Sequence, residues 1–452
     1  MNQEPLNKLL NNLIKLISSI VEQESKIFPL SKTSYTLPIR SFRYESMSLS
    51  LQGYDIHNQM EDVVDQLWDF DQKIQQSVSR KIIEKKIIEM IFQYQQTTVE
   101  PTVNDLKKVL TELRDLDEQE WLVIRPVHGA SLEGETSTKL GPFTLYTWDA
   151  YQALIASTDP SILNSCLQNA YECRRLDENY PSHFPLLENL GNIFISVKVV
   201  AHDSQRAIQL ADERFNQFEN VISYMLGQEA RQFNFGVTDC PTLNGTEHLL
   251  MPIQTKGITY SSNLQDSLFR LELDSPFFRD GKIRIDEASE NQLYVNFGHN
   301  WIWKTLELES SQVPDWHHRI LSAVEWIGKG LRDKNSARSL VQFTFALEAL
   351  FFYQKKGILV SPSIASTLAE FTAFIVGANC IERLDIIRKV NEIYEKRSAV
   401  AHGAKQSVSI ISVSEALRLV KSLITQIITS SEFLTFQSIN DLRDWVNERK
   451  YS

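Results

Sequence analysis

Residues Ser336 to Gln354 read SARSLVQFTFALEALFFYQ. Leu340, Phe343, Leu347, Leu350 and Phe351 return at intervals of three and four, which is the period of a helix burying one face. Strand signals stop past Trp303, and the chain keeps this helical period to its end. Pro314 and Asp315 open a helix with Ile320, Val324 and Ile327 inward. Another covers 363–376 and stops at Gly377, and a fourth begins near Cys380 with Leu384, Ile387, Val390 and Tyr394 on one face. Ser412 followed by Glu415 reads as a capping box. It precedes Leu417, Val420, Ile424 and Ile427, and a short last helix carries Leu442 and Val446. Helices of this length predict a bundle over 310–452.

Upstream the pattern differs. Residues 1–120 read as mainly helical. Leu6, Leu9, Leu13, Ile17 and Ile20 make the first helix amphipathic, a face for a protein partner surface and not the apolar block of a targeting segment. Residues 34–54 alternate and suggest paired strands, helix returns over 60–96, and a further helix spans 103–117. Residues 121–305 are expected to form an α+β region that senses or regulates. Its strands are WLVIRPV, GPFTLYTW, NIFISVKVVA and LLMPIQTKGITY, with two more around Asp280-Gly281, the last ending near Tyr294–Phe297. A helix over 203–227 buries Ala207, Leu210, Ala211, Phe215, Phe218, Ile222 and Met225. The expected fold class is α+β, with a mixed N-terminal region followed by an all-α bundle.

Hydrophobic residues make up 42% of the 452-residue chain and charged ones 23%, the proportions of a globular protein. The net charge of −11 argues against a broad non-specific nucleic-acid surface but leaves room for a local basic site. The apolar run 343–352 is too short to span a bilayer and contains Glu348. Cys166, Cys173, Cys240 and Cys380 form no C-x-x-C pair, and the first two fit small buried hydrophobes; this usage suits a reducing cytoplasm.

The segment Ile393 to Lys405 reads IYEKRSAVAHGAK. Cutting RNA without a metal requires a base for the 2′-OH, positive charge on the phosphorane, and an acid for the departing 5′ oxygen. Histidine, with a pKa of roughly 6.5, suits the proton transfers, and arginine's permanently charged fork suits the phosphate. Arg397 and His402 offer both. On a regular helix they point about 140° apart, so they converge only if the helix ends within the motif, which Gly403 permits. One histidine cannot be both base and acid, and a two-fold dimer would supply the second. Spacing alone favours a plainer account, an Arg near a helix C-terminus and a His satisfied by a carbonyl.

The surroundings resemble the HEPN superfamily (higher eukaryote and prokaryote nucleotide-binding domains), in its Apea-like branch. The helix SLVQFTFALEALF resembles that branch's apolar-Glu-Ala-Leu helix, with Glu348 in place. IYEKRSAVAHG is similar to its Tyr-x-x-Arg-Ser-x-x-x-His-Gly motif at Tyr394, Arg397, Ser398, His402 and Gly403. The resemblance covers 310–430 and extends more loosely into 140–300. It implies a metal-independent endoribonuclease with Arg397 and His402 as the catalytic pair, and Ser398, Tyr394 and Glu348 supporting. It further implies a homodimer acting on RNA such as tRNA, in phage defence (abortive infection) or as a toxin, with a phage-derived trigger or a restraining antitoxin. Elsewhere in the superfamily Asn, Asp or His often follows the Arg, where this chain has Ser398. A non-catalytic bundle for dimerisation and nucleotide or RNA binding is the alternative.

Other candidates are structural. His317-His318 reads as solvated or capping, and Asp62, Asp65, Asp69 and Asp71 as a solvated helical face. Glu348 fits either a support for Arg397 or His402 or a structural ion pair, and Tyr394 fits core packing. Arg383, Arg388, Lys389, Lys396, Arg397 and Lys405 form a local basic excess compatible with RNA approach. No phosphate-cradling glycine loop, nucleophile elbow or zinc spacing occurs, so no metal or cofactor is expected.

Overall fold

The computed structural model describes residues 3–25, 39–44, 47–52, 54–127, 130–133, 136–158, 193–226, 237, 253–256, 270–274, 282–286, 297–333, 335–352, 364–402 and 408–451. Helices and antiparallel strands together make it α+β. By contacts the chain falls into two units, one of residues 1–121 with 199–210, the other of 122–198 with 211–452.

In the first unit, α1 (Gln3–Ser25) packs on α2 (Tyr54–Trp68). The apolar stripe of α1 is used within its own unit: Leu6, Leu9, Leu13, Leu16, Ile17 and Ile20 are all buried in the unit's core, so no partner is needed to cover them. The alternation expected over 34–54 resolves into β1 (Ile39–Tyr44) and β2 (Met47–Gln52), paired antiparallel with Phe42 opposite Leu49. Next come α3 (Gln72–Ser77), α4 (Arg80–Thr97) and α5 (Val103–Arg114). Thr102 and Asp105 close a capping box at the start of α5, which ends three residues before the expected Asp117. The acidic run is not one solvated face. Asp71 caps α3 and pairs with Arg114 at 2.8 Å, and Asp65 pairs with Arg80.

A five-stranded sheet is built from β3 (Gln119–Val127), β5 (Ser137–Leu140), β6 (Phe143–Thr147), β7 (Ile193–Ala201) and β8 (Ile253–Lys256), in the order β5-β6-β7-β3-β8. The β5–β6 and β6–β7 pairs are antiparallel. A second sheet is ordered β10-β9-β4, from β4 (Ala130–Glu133), β9 (Arg270–Asp274) and β10 (Lys282–Asp286). After α6 (Trp148–Thr158) comes α7 (Ser204–Leu226), whose stripe is buried as expected except at Leu210, which is half-buried. Phe218 of α7 lies 5.0 Å from Phe143 of β6 and 5.9 Å from Trp303 on α8 (His299–Leu306), so sheet and helices share one aromatic core. Of the strand end expected near 294–297, residues 294–296 lie outside the described residues and Phe297 is helical.

Among the described residues seven further α-helices follow: α9 (Asp315–Arg332), α10 (Ser336–Phe351), α11 (Ile364–Val376), α12 (Cys380–Ala401), α13 (Ile410–Thr429), α14 (Ser431–Leu434) and α15 (Ile439–Tyr451). Consecutive pairs α9–α10 and α11–α12 pack on each other, and α13 packs on α9, α10 and α11. The inward positions read from sequence on α9, α10, α13 and α15 are all buried. Two readings change. Ser409, not Ser412, caps α13, its Oγ accepting from the Ser412 N–H at 3.1 Å. On α12 the core face is Ile386, Val390 and Ile393, while Leu384 is 62% exposed. Apolar residues surround that helix, so periodicity alone did not choose the buried side.

Helix α7 is joined to α9 by polar groups as well. The fully buried Glu219 pairs with Arg332 at 2.5 Å and accepts from the Val237 N–H, and Gln217 donates to Glu325 at 2.7 Å. His317, rather than lying in solvent, bonds the Leu434 carbonyl at 3.0 Å and meets Trp301 edge-on, and His318 bonds the Ser310 carbonyl at 3.0 Å. Cys380 is an exposed free thiol, and the other three cysteines lie outside the described residues. Among the described residues no helix is long and apolar enough to cross a membrane.

Candidate functional site

Asn379 caps α12, accepting from the Glu382 N–H at 3.0 Å, and the helix then runs unbroken to Ala401. Its last two turns carry Tyr394, Arg397 and Ser398, each half-buried. Across from them on α10 stands Glu348. The Arg397 Nη2 is 3.4 Å from the Glu348 Oε1, and Tyr394 lies near this carboxylate on the same side of α12. The guanidinium lies 5.4 Å from the Phe345 ring centre and 5.6 Å from that of Tyr394.

At 3.4 Å the ion pair is longer than the 2.7–2.9 Å or so of a good charge-assisted hydrogen bond. The buried Arg397 Nε and Glu348 Oε1 have no hydrogen-bond partner among the described residues. Burial pushes the Glu348 carboxyl above its usual range, and the opposing pull of Arg397 and Tyr394 does not fully offset it. Arg397 thus retains donors for a second anion.

His402 terminates the helix and is exposed. Its φ of −89° and ψ of 11° keep it near the helical register, and its N–H still donates to the Ser398 carbonyl at 3.0 Å. The side chain therefore leaves at about the helical angle, roughly 140° from Arg397. The helix ends inside the motif, yet too late to swing the two together within one chain: Arg397 turns toward α10 and His402 toward solvent. Gly403 lies outside the described residues.

The basic excess around the motif is largely internal. Arg388 pairs with Asp385 and Glu392, Lys389 pairs with Asp385, and Lys396 donates to Ser412 at 2.9 Å. Such exposed pairs contribute little stability. Sequence reading did not single out Phe345 or Trp326, although Phe345 sits one turn before Glu348 on the same face, a relation that i, i+3 spacing announces.

A second titratable group, Tyr224, His299 and Lys421, is packed inside the unit. The Lys421 ammonium lies 5.3 Å from the Tyr224 ring centre, and the rings of Tyr224 and His299 are 5.7 Å apart. Burial pulls His299 down to about 3 and Lys421 down to about 8. A neutral, enclosed imidazole cannot serve an RNA phosphate.

The direction of the Glu348 shift gives a pH prediction. A carboxyl whose folded pKa is raised contributes stability that is present below the unfolded value and lost as pH rises through the folded one. Glu348→Gln protein is expected to lose less stability than wild type as pH is raised from below 4.5 to neutrality, read as the change in Tm. Parallel pH profiles for the two proteins would refute this.

Compared with models of known families, with curated proteins and with solved structures, the chain matches none.

Proposed function

We propose that the C-terminal helices form a HEPN-type, metal-independent endoribonuclease whose cleft is completed by a second copy of the chain. The observation that carries this is the Arg397 environment. It is a half-buried guanidinium with an unpartnered Nε, on the same helix end as an exposed histidine. One His402 takes the 2′-OH proton as that oxygen attacks phosphorus. Arg397 steadies the phosphorane charge, and His402 of the second copy protonates the departing 5′ oxygen. The products are a 2′,3′-cyclic phosphate and a 5′-OH. Glu348 and Tyr394 hold the arginine, and Ser398, next to it in sequence, gives modest polar help. In this reading the protein is a cytoplasmic effector of antiviral defence, released by a phage-derived trigger or restrained by an antitoxin, with the α+β part as sensor.

Wild-type protein incubated with cellular RNA in excess chelator is expected to leave 2′,3′-cyclic phosphate ends. Cleavage that requires added divalent metal, or that leaves 5′-phosphates, would rule out this chemistry. The second reading, a non-catalytic dimerisation and RNA- or nucleotide-binding module, is favoured by the Glu348–Arg397 ion pair, which partly neutralises the key cation. Binding without any cutting would select it.

A further inference from the structure

Two half-buried rings, Trp326 and Phe345, meet across α9 and α10, and the half-buried Tyr394 of α12 is linked to them through Arg397. Trp326 on α9 has its ring centre 5.0 Å from that of Phe345 on α10, edge to face. Arg397 on α12 lies 5.4 Å from the Phe345 ring centre and 5.6 Å from that of Tyr394. The exposed Lys329 places its ammonium 4.7 Å from the Trp326 ring centre. Neighbour to neighbour the contacts run Lys329, Trp326, Phe345, Arg397 and Tyr394. Phe343, Phe351, Phe215 and Phe218 are fully buried core rings, whereas Trp326, Phe345 and Tyr394 keep part of their surface in water. The nearby acids are engaged: Glu325 accepts from Gln217, and Glu348 faces Arg397 and Tyr394.

We propose that Lys329, Trp326, Phe345 and Tyr394 form a stacking ledge for the unpaired bases of single-stranded RNA, leading to the phosphate held by Arg397. The proposal rests on the nuclease reading and adds how that site takes its substrate. Every base has a π-face that an aromatic ring accepts, and cations set between rings meet the backbone phosphates. A duplex keeps its bases stacked inside and offers the ledge nothing comparable.

The test uses the whole chain and a fluorescein-labelled 2′-O-methyl oligoadenylate of about a dozen nucleotides, which lacks the 2′-OH needed for cleavage. Anisotropy is expected to show binding to this probe and at least tenfold weaker binding to the matching duplex. Trp326→Leu is expected to weaken binding by about tenfold, and Trp326→Phe by no more than about threefold. Lys329→Ala, an exposed change that leaves the core intact, is expected to weaken binding and lower the salt slope by about one. Wild-type affinity in both Trp326→Leu and Lys329→Ala, or equal affinity for single strand and duplex, overturns the ledge. If the variants lose the probe while no unmodified RNA is cut, the ledge stands and the nuclease reading fails. If Trp326→Leu binds normally and cuts RNA in an Arg397-dependent way, the ledge fails and the nuclease stands.

Discussion

In a single-turnover RNA cleavage assay, His402→Ala protein is slower than wild type by about 10²–10⁴-fold, the usual cost of losing a proton-transfer group. His402 is exposed at a helix end, so its removal takes nothing from the core and the unfolding curve stays at its wild-type position. Arg397→Ala is expected to match it in rate but not in stability. That variant leaves Glu348, already raised by burial, without its countercharge, so Tm falls near neutral pH. Arg397→Lys does not rescue the rate, because an ammonium cannot reproduce the paired donors of the guanidinium fork. If both alanine variants cut at the wild-type rate, the site is elsewhere.

Gly328→Ala destabilises the second unit by about 3 kcal/mol, the upper part of the range for overpacking. Helix propensity predicts the opposite, a gain of about 1 kcal/mol for alanine over glycine in a helix interior. Packing decides. A Cβ at 328 would overlap the Asn220 carbonyl oxygen and lie 2.5 Å from two further backbone atoms, where α9 crosses α7. Backbone cannot rotate aside. At Gly330 the added methyl meets the Phe343 ring, a side chain and not backbone, so Gly330→Ala is expected to cost less. Urea midpoints of the two variants give the ranking, and a more stable Gly328→Ala protein would show that α7 and α9 do not approach this closely.

Much of the fold is legible from hydrophobic period. Leu340, Phe343, Leu347, Leu350 and Phe351 on α10, and Leu417, Val420, Ile424 and Ile427 on α13, are buried as their spacing requires. Period fails where it carries no contrast. On α12 apolar residues lie on several sides, so the core face of Ile386, Val390 and Ile393 depends on where α11 and α10 sit, which is tertiary information. Capping fails similarly at α13, because Ser409 and Ser412 both have the chemistry and only the backbone shows which one stands outside the helix. At the candidate site, Arg397, Tyr394 and Glu348 come together, yet their meeting on two helices could be read only through the family resemblance. The stacking of Phe345 on Trp326 had no sequence signal across α9 and α10.

Arg397 turns toward α10 and His402 toward solvent, so the proposed cleft requires a second copy of the chain. Mixed dimers of wild-type and His402→Ala chains, formed by co-expression at varied ratios, test it most directly through RNA cleavage. A cleft that takes its base from one copy and its acid from the other loses activity whenever either histidine is missing. Cleavage should then fall with the square of the wild-type fraction. A linear fall would mean that each chain carries a complete site of its own.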